Sequence, residues 1–565
     1  MNDIRRTVLW VIFGFSMVLL WDQWQIYNGH KATFFPSPSQ VTTAAKPENA
    51  STTTSATGTS VPSGDIAAQT SKAAGSRVSE RVEIKTDLMR LSIDTEGASL
   101  VRSEFLKLRD LVNQDKDFVL FQQEPDHIYV AQTGLIAAAS GVAYPTHKTV
   151  MTLVSADKEM KDGQDELSVK FESPELNGVK LLKTYTFKRG SYAIAVRHEV
   201  VNNGSASATA QVYMQLVRDG VVPASSMMGP SSFTGPAAYT EGKKYHKIEF
   251  KEIDSNKAEI DKNASTGYVA MVQHYFLSAW LLADGINREN FVRKLSDTQL
   301  ALYSIGVITP LGEIAPGARK VLESTLFAGP QEEKVLEALA PGLELVKDYG
   351  MLTLLAKPLF WLLDQLHKVL QNWGWSIVAL VVLLKIAFYW LNAKAYASMA
   401  KMKAINPRIM EMRERLKDNP QQMQQEMMKI YREEKVNPMG GCLPIMIQIP
   451  VFIALYWVLL SSVEMRNAPW ILWIQDLSAI DPYYILPVVM TLSTLVQTAL
   501  NPAPPDPMQA KMRWIMPLVF SVMFFAFPAG LVLYWLTNNI LSIAQQWFIN
   551  KQMGVPPQFN LPKFR

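Results

Sequence analysis

The sequence predicts an α-helical polytopic membrane core, made of a five-helix bundle plus an N-terminal anchor helix, joined to a large all-β sandwich domain. Two observations carry this prediction. From Trp373 onward the chain consists largely of long apolar runs with almost no charge, and runs of about 20 apolar residues are typical of membrane spans. Residues 79–340 instead contain runs that alternate apolar and polar side chains between turn residues, which is typical of half-buried strands. A purely soluble enzyme and a fully disordered chain are both excluded.

Composition narrows the possible functions. The net charge of +4 over 565 residues is too small to indicate nucleic-acid binding. The single cysteine, Cys442, excludes an internal disulfide framework. With only seven scattered histidines, it also disfavours a Cys/His metal site. Because no nucleotide motif is present either, we predict no cofactor, no metal site, no catalytic residue and no intrinsic hydrolysis.

The first 31 residues are predicted to form an uncleaved membrane anchor rather than a secretory signal peptide. Arg5 and Arg6 precede an apolar run from Val8 to Leu20, and no small-residue cleavage site follows that run. The basic start is expected to stay in the cytoplasm. Residues 32–78, rich in Ser, Thr, Ala and Pro, then form a flexible linker on the outer side of the membrane.

The region 79–340 is predicted to be an extracytoplasmic β sandwich. Leu181–Lys188 and Tyr192–Val200 flank a short turn at Gly190 and form a hairpin with one buried face. Further strands are expected at Tyr268–Val272 and Ala301–Ile308. The neighbours His198 and Glu199 look like a catalytic pair, but adjacent strand residues point to opposite faces of a sheet. The two side chains therefore cannot serve one site.

The remaining chain is predicted to divide into a connector (341–372), a helical core (373–549) and a basic cytoplasmic tail (550–565). Within the connector, Pro358–Leu370 is too short and too polar to span, so it is expected to lie in the outer interface as an amphipathic helix. Pro528-Ala529-Gly530 separates the last two spans. With the anchor this makes six spans and places both termini in the cytoplasm. The five core spans are predicted at Trp375–Leu391, Leu443–Val463, Tyr484–Leu500, Trp514–Phe527 and Leu531–Phe548.

The charged loop 392–441 is predicted to form a cytoplasmic helical hairpin. Its helices are expected at about Pro407–Leu416 and Pro420–Val436, because Asn406-Pro407 and Asn419-Pro420 each place an N-cap residue before a first-turn proline. Each helix carries one apolar stripe, and the two stripes are expected to pack together in an antiparallel hairpin. The first stripe is Ile405, Ile409, Met412 and Leu416, and the second is Met423, Met427, Ile430 and Tyr431. The basic side chains on the rim of the hairpin could contact RNA or anionic lipid, but a solvated face that obeys the positive-inside rule explains most of them equally well. These side chains include Arg408, Arg413, Arg415, Lys429 and Arg432.

Lys385 is the one charged side chain within the five predicted core spans. A cation at mid-membrane costs on the order of 2.5–3.5 kcal/mol, so such a residue usually faces a cavity or a partner. Two alternatives stay open, since the lysine could snorkel and the polar residues could join helix to helix. We favour a polar groove. The polar residues of the spans are Gln448, Thr491, Thr494, Gln497, Thr498, Ser521, Asn538 and Asn539.

Several motifs resemble the YidC/Oxa/Alb family of membrane protein insertases, in its Gram-negative bacterial form. They occur in order and, with the anchor and the β domain, extend the resemblance over nearly the whole chain. The motifs are Ser398-Met399-Ala400-Lys401-Met402, Asn437-Pro438-Met439-Gly440-Gly441-Cys442-Leu443-Pro444, Gln448-Ile449-Pro450, Ala454-Leu455-Tyr456, Asp481-Pro482-Tyr483-Tyr484-Ile485-Leu486-Pro487 and Phe527-Pro528-Ala529-Gly530-Leu531-Val532-Leu533-Tyr534-Trp535.

The resemblance implies a periplasmic β-supersandwich and an inner-membrane helical core with a hydrophilic groove open to the cytoplasm. A charged residue of the first core helix, usually arginine, projects into that groove, and the corresponding position here is Lys385. Trp390 stands where proline is common. The implied partners are nascent inner-membrane proteins, the Sec translocon, the ribosome and membrane lipids, with no specific nucleic-acid sequence. The hairpin residues above would contact ribosome or substrate, and the groove would use Lys385, Gln448, Thr491, Thr494, Gln497, Ser521 and Asn538.

Two other functions are compatible with parts of the sequence. A secondary transporter could use Lys385 as its ion or substrate site, but no intramembrane acid and no inverted repeat between the two halves is visible. An enzyme or sugar-binding protein could work through the β domain, which resembles sugar-epimerase folds, but fold alone does not carry function. An insertase is the function we predict.

Overall fold

The computed structural model describes residues 79–110, 115–138, 142–222, 233–296, 300–417, 419–434, 443–501, 507–554 and 559. The predicted anchor, the linker, most of the basic tail and the motif from Asn437 to Cys442 lie outside these residues. The described chain forms two compact units. A β unit ends at Asp348 and a helical unit begins at Tyr349.

The β unit contains two antiparallel sheets of ten and nine strands. The ten-stranded sheet consists of β1 (Arg81–Lys85), β2 (Met89–Asp94), β3 (Ser99–Arg109), β4 (Asp117–Val119), β5 (Gln122–Glu124), β6 (His127–Ala137), β11 (Ala208–Asp219), β14 (Asn263–Ala264), β17 (Arg288–Ser296) and β18 (Leu302–Ile314). The nine-stranded sheet consists of β7 (Thr152–Leu153), β8 (Glu166–Glu172), β9 (Val179–Lys188), β10 (Ala193–Asn202), β12 (Gly235–Thr240), β13 (Lys244–Lys247), β15 (Tyr268–Gln273), β16 (Phe276–Leu281) and β19 (Arg319–Pro330). Their orders are β1-β2-β3-β6-β11-β18-β17-β14, with β4 beside β3 and β5 beside β6, and β13-β12-β15-β16-β19-β10-β9-β8-β7.

The predicted hairpin and all-β sandwich are confirmed. β9 and β10 pair with Phe187 opposite Ile194, and alternate residues of both strands are buried. The two sheets face each other, because the Tyr129 hydroxyl of one sheet lies 2.5 Å from the Ser278 hydroxyl of the other. The buried apolar side chains of both sheets fill the space between them. Two short helices, α1 (Phe250–Asp254) and α2 (Glu333–Leu339), complete the unit.

The helical unit contains eight α-helices in the part of the chain that the structure describes. They are α3 (Thr353–Leu370), α4 (Trp373–Ala387), α5 (Tyr389–Arg415), α6 (Pro420–Glu433), α7 (Leu443–Ser461), α8 (Ile485–Leu500), α9 (Pro507–Met523) and α10 (Ala529–Gln552). Short 3-10 turns lie at Gly350–Leu352, Val463–Met465 and Phe524–Ala526. One apolar core joins α3, α4, α7, α8 and α10.

The first predicted span is not one straight helix. α4 ends at Ala387, α5 begins at Tyr389, and the two helices meet at an angle of 69°. Proline is the usual cause of so sharp a bend, yet Phe388, at the break, has no proline beside it. Judged by length and composition, no described helix qualifies alone as a membrane span, whereas α4 and α5 qualify together.

The predicted start of the first hairpin helix at Pro407 is wrong, because Pro407 lies inside the long helix α5. Ile405 and Ile409 lie on either side of this proline and both are buried against Ile430 of α6. The apolar stripe therefore continues through the proline and holds the helix together. The predicted packing of the two apolar stripes is confirmed, and α6 begins at Pro420 as expected, although it ends at Glu433.

A loop between α7 and α8 closes one end of the helical unit. Its carbonyl groups at Leu477 and Ala479 accept hydrogen bonds from the amides of Gly530 and Ala529, which satisfies donors that a helix N-terminus otherwise leaves without a partner. In the same loop, the buried Asp481 accepts hydrogen bonds from the Trp473 indole and from the amide of Leu486. The predicted break around Pro528 is confirmed and is fixed by these contacts.

Candidate functional site

A pocket with about 450 Å³ of empty space lies between α4, α5, α7 and α10. Apolar side chains form about half of its wall, and the other half is polar. The apolar lining consists of Val381, Leu384, Phe388, Leu391 and Val451, and the polar lining consists of Lys385, Asn392, Gln448, Tyr534 and Asn538. A polar pocket inside an otherwise apolar bundle can bind hydrogen-bonding groups that lipid cannot accommodate.

Lys385 is held in this pocket by α10. Its Nζ donates to the Ser542 hydroxyl at 2.7 Å, and Ser542 donates its own hydrogen to the Asn538 carbonyl at 2.7 Å. The Ser542 oxygen is therefore an acceptor for the lysine, while its hydrogen is used within α10. In the described chain Lys385 has no carboxylate partner, so its charge remains available to a ligand that enters the pocket.

Gln448 and Asn538 share the pocket with Lys385. The Gln448 side chain hydrogen-bonds the Tyr534 hydroxyl, which orients an amide of α7 toward α10. Asn538 is buried and lies one turn before Ser542 on α10. The structure therefore brings three of the seven predicted groove residues together, and each comes from a different helix.

The other four predicted groove residues do not line this pocket. The hydroxyl groups of Thr491 and Thr494 donate to carbonyl groups of their own helix α8. Thr494 also accepts a hydrogen bond of 2.8 Å from Asn539 of α10, so part of the polar face of α8 joins two helices. Gln497 is half-buried, and Ser521 is buried on α9.

Sequence reasoning missed Ser542, which forms the described hydrogen bond to Lys385, and the pocket residues Asn392 and Tyr534. A signal for Ser542 was present, because Asn538, Ser542 and Gln546 recur every four residues along α10. That spacing places polar side chains on one helix face. All three are buried, although an apolar helix usually buries its apolar residues.

The basic residues of the hairpin differ in their contacts. Arg408 forms ion pairs with Glu433 and Glu434 at 3.1 and 2.9 Å, which join α5 to α6. Lys429 lies 3.9 Å from Glu426 on its own helix. Arg415 and Arg432 are exposed, and Arg413 is half-buried. Arg408 and Lys429 are exposed despite these pairs, so four of the five predicted rim residues face solvent and only Arg413 is half-buried.

The interior of the β unit contains titratable side chains but no acid/base pair at His198. The His198 ring is buried and lies 2.9 Å from the Thr133 hydroxyl, whereas Glu199 faces outward and pairs with Arg319. The prediction that these neighbours cannot serve one site is confirmed. Burial, followed by the nearby charge of Lys183, lowers the pKa of His198 to about 3. Burial also lowers the pKa of Lys183 to about 7.

Two family models together match most of the chain. The model of the YidC periplasmic domain matches residues 81–362, and the model of the 60Kd inner membrane protein matches residues 365–555. Among solved structures, the chain is similar to an active YidC insertase crystal structure, with 18% identity, 83% of this chain and 92% of that chain covered, and a TM-score of 0.39. It is also similar to a galactose mutarotase related enzyme from Lactobacillus acidophilus, with 9% identity, coverages of 44% and 97%, and a TM-score of 0.29.

Full-length relatives are much more similar in sequence. Proteins named membrane protein insertase YidC from Cupriavidus necator and Ralstonia nicotianae are each 52% identical, with 98% of both chains covered. The protein of the same name from Burkholderia cenocepacia is 50% identical, with 98% of this chain and 99% of the relative covered. Such identity over the whole length requires the β unit and the helical unit to occur in the same order in these relatives. The chain therefore belongs to the YidC family of membrane protein insertases.

Proposed function

We propose that the pocket around Lys385 receives the hydrophilic segment of a nascent inner-membrane protein during insertion. The observation that carries this proposal is the meeting of Lys385, Gln448 and Asn538 in one open pocket among apolar helices. An extended polar segment needs partners for its backbone groups wherever water is excluded. The lysine supplies a charge for acidic residues of that segment, and the amides supply both donors and acceptors.

Release of the substrate uses the apolar surface of α9 and of α8, which contacts the pocket helix α10 through Thr494 and Asn539. α8 and α9 expose rows of large apolar side chains, including Leu492, Val496, Val519 and Val522. A transmembrane segment that leaves the pocket can pass along such a surface into lipid. The transfer of its own apolar surface out of water then drives the reaction. This mechanism uses no hydrolysis and no covalent step, so we propose that the insertase is not an enzyme.

We further propose the arrangement in the membrane and the partners. Both termini and the hairpin formed by α5 and α6 are cytoplasmic, six spans cross the membrane, and the β unit is periplasmic. The exposed Arg415 and Arg432 of the hairpin are available to a ribosome or a substrate. The insertase acts alone or with the Sec translocon. In a protein whose Cys442 is replaced by serine, labelling of single cysteines introduced at Arg415 and in the β unit, from each side of the membrane, tests this orientation.

Site-specific photocrosslinking to stalled nascent chains of a small inner-membrane protein tests the groove. Probes replace Gln448, Thr494 and Ser521 in turn, and Ile449 provides the matched control because it is the exposed neighbour of Gln448 on α7 and does not line the pocket. We expect crosslinks that depend on nascent-chain length and disappear on release. If no probe position contacts a nascent chain, the groove is wrong. Normal insertion by a Lys385→Ala/Gln448→Ala protein of unchanged abundance would also contradict it.

A further inference from the structure

Two tryptophan–lysine pairs repeat the same spacing in the helical unit. Trp390 and Lys394 in α5, and Trp547 and Lys551 in α10, are each separated by four residues, which places ring and amine on one helix face. Lys394 Nζ lies 3.6 Å from the centroid of the Trp390 ring, and Lys551 Nζ lies 5.4 Å from that of Trp547. Both distances are within the range of about 6 Å for cation–π attraction.

The rings face outward rather than into the helical core. Trp390 is 67% exposed and Trp547 is 48% exposed. Ile386, Tyr389 and Phe548 beside them are also exposed. Each lysine is therefore presented on an aromatic and aliphatic surface, a combination that suits the boundary between lipid headgroups and acyl chains.

Both pairs lie at the same end of the bundle. α4 and α10 run in the same direction, because Gly530 lies beside Ile377 and Ser542 contacts Lys385. Trp390 follows Lys385 by five residues and Trp547 follows Ser542 by five. At a helical rise of about 1.5 Å per residue, Trp547 lies roughly 8 Å beyond that shared contact along α10. Trp390 is the second residue of α5, just after the bend at the end of α4.

A third pair joins them at this end. The Arg513 guanidinium lies 5.5 Å from the centroid of the Trp514 ring in α9. Arg513 donates to the Asn501 carbonyl at 3.2 Å, and Gln546 donates to the Asn501 side chain at 3.1 Å. Arg513 therefore lies at the level of Gln546, the residue before Trp547. We call the three tryptophan–cation pairs the girdle.

The girdle lies in a part of the sequence without acidic residues. No Asp or Glu occurs between Asp364 and Glu411, and none occurs from Pro507 to the C-terminus. Within the described ranges, neither Lys394 nor Lys551 forms an ion pair, and both side chains are exposed beside their rings. The surface thus combines cations, indole N–H donors and exposed apolar groups, and an anion with acyl chains complements all three.

We propose that the girdle binds the phosphate headgroups of anionic phospholipids in the cytoplasmic leaflet. Lysine Nζ and arginine N–H groups donate to the phosphate oxygens, the tryptophans lie at headgroup depth, and the acyl chains cover the exposed apolar residues. The site lies outside the substrate pocket and goes beyond the proposed function, but the choice of leaflet rests on the proposed orientation. Binding itself can be measured without knowing that orientation.

Native mass spectrometry of the full-length protein, titrated with phosphatidylglycerol or phosphatidylcholine, tests the girdle. We expect preferential retention of phosphatidylglycerol. A Lys394→Gln/Arg513→Gln/Lys551→Gln protein should lose roughly fivefold in affinity for each cation removed, as about 1 kcal/mol for a basic residue near the membrane surface implies. The matched control, Lys401→Gln/Arg415→Gln/Lys417→Gln, removes the same charge from exposed positions of α5 and the loop after it and should bind nearly as the unchanged protein does.

A second variant separates the site from charge alone. Trp390→Leu/Trp547→Leu keeps every cation, and we expect it to lose most of the preference for phosphatidylglycerol. Equal losses in the girdle and control variants would overturn the proposal, and so would full binding by the tryptophan variant. Sedimentation with ribosomes provides the remaining test, because loss of ribosome binding with intact lipid binding would assign the surface to RNA. None of these outcomes would change the crosslinking expected at Gln448, so the proposed substrate groove is tested independently of the girdle.

Discussion

The two units of the molecule each withdraw a lysine from solvent, but they satisfy it differently. Lys183 in β9 is 0% exposed, and its Nζ donates to the carbonyl groups of Gly97 and Thr133 at 2.6 and 2.7 Å. Lys385 in α4 is half-buried and donates to a single hydroxyl beside open space. The Nζ atom of Lys183 is therefore surrounded by fixed backbone groups, whereas the Nζ atom of Lys385 lies beside a pocket that a ligand can enter.

This difference supports the proposed functional role of Lys385 and assigns Lys183 a structural one. Lys183 donates to two backbone carbonyl groups in a closed interior, so no ligand can reach its amine. Lys385 has donors left over in a pocket that also contains Gln448 and Asn538. Burial of a charged residue is therefore a weak indicator of a site, and unused hydrogen-bonding capacity next to a cavity is a stronger one.

The largest effect that we expect is the loss of β-unit stability in acid. Burial, followed by the charge of Lys183, lowers the pKa of His147 to about 4 and that of His198 to about 3. An unfolded histidine titrates near 6.5, so between about pH 6.5 and 4 the unfolded chain binds more protons than the folded chain. The free energy of unfolding should then fall as pH falls, by about 1.4 kcal/mol per pH unit for each histidine.

Hydrogen exchange of β6 and β10 peptides in the intact protein, corrected for the intrinsic pH dependence of exchange, measures this loss. A His147→Gln protein should show a shallower decline. His246→Gln is the control, because His246 lies at the surface, and this protein should behave as the unchanged one. A decline that is identical in all three proteins would show that the buried histidines do not control it.

The next effect concerns the partners of Lys183. Replacement by methionine keeps most of the side-chain volume but removes both donors to the Gly97 and Thr133 carbonyls. Leaving a buried acceptor without its partner costs about 1–3 kcal/mol, so we expect Lys183→Met to destabilise the β unit by at least about 2 kcal/mol. Hydrogen exchange in β9 measures the change. Lys180→Met is the control, because Lys180 in the same strand forms only a surface ion pair with Glu172 and should cost less than about 1 kcal/mol.

The corresponding change in the helical unit should separate stability from function. Lys385→Met removes a cation that is expensive at membrane depth, while Ser542 keeps its hydrogen bond to the Asn538 carbonyl. We expect thermal stability in lipid to stay equal or to rise, and insertion of a dependent substrate into proteoliposomes to fall several-fold. Lys368→Met on α3, where the lysine pairs with Asp364 at the surface, should change neither. A loss of stability that parallels the loss of insertion would assign Lys385 a structural role.

The sequence was sufficient for the features that depend on local pattern. The β9–β10 hairpin follows from alternation around Gly190, and the contact between α5 and α6 follows from two apolar stripes. The bend at Phe388 could not be predicted, because neither proline nor glycine marks it in the sequence. Pro407 failed as a helix start because apolar contacts on both sides of it outweigh its local preference.

In the candidate site, too, some residues could be predicted from local sequence pattern and others depend on how the helices pack. Lys385 was identified because a cation in an apolar run is conspicuous in any sequence. Its partner Ser542 was not, since the rotation of α10 against α4 decides which of several polar residues meets the lysine. The same rotation turns Asn539 toward Thr494 and Asn538 toward the pocket. Adjacent asparagines therefore have different surroundings, and sequence alone cannot distinguish them.

The smallest expected effect is that of Lys385→Arg, and it gives the sharpest comparison between the two lysines. A guanidinium is larger and planar and needs space for its fork of donors. The pocket of about 450 Å³ beside Lys385 offers such space, and arginine keeps the positive charge. Insertion should therefore stay within about twofold of the unchanged protein, which corresponds to a free-energy change of less than about 0.5 kcal/mol. Lys183→Arg is the matched control: in a closed interior the added atoms should destabilise the β unit by about 1–3 kcal/mol. The opposite result would be unchanged β-unit stability in Lys183→Arg and loss of insertion in Lys385→Arg. In that case unused hydrogen-bonding capacity beside a cavity would not distinguish a functional lysine from a structural one.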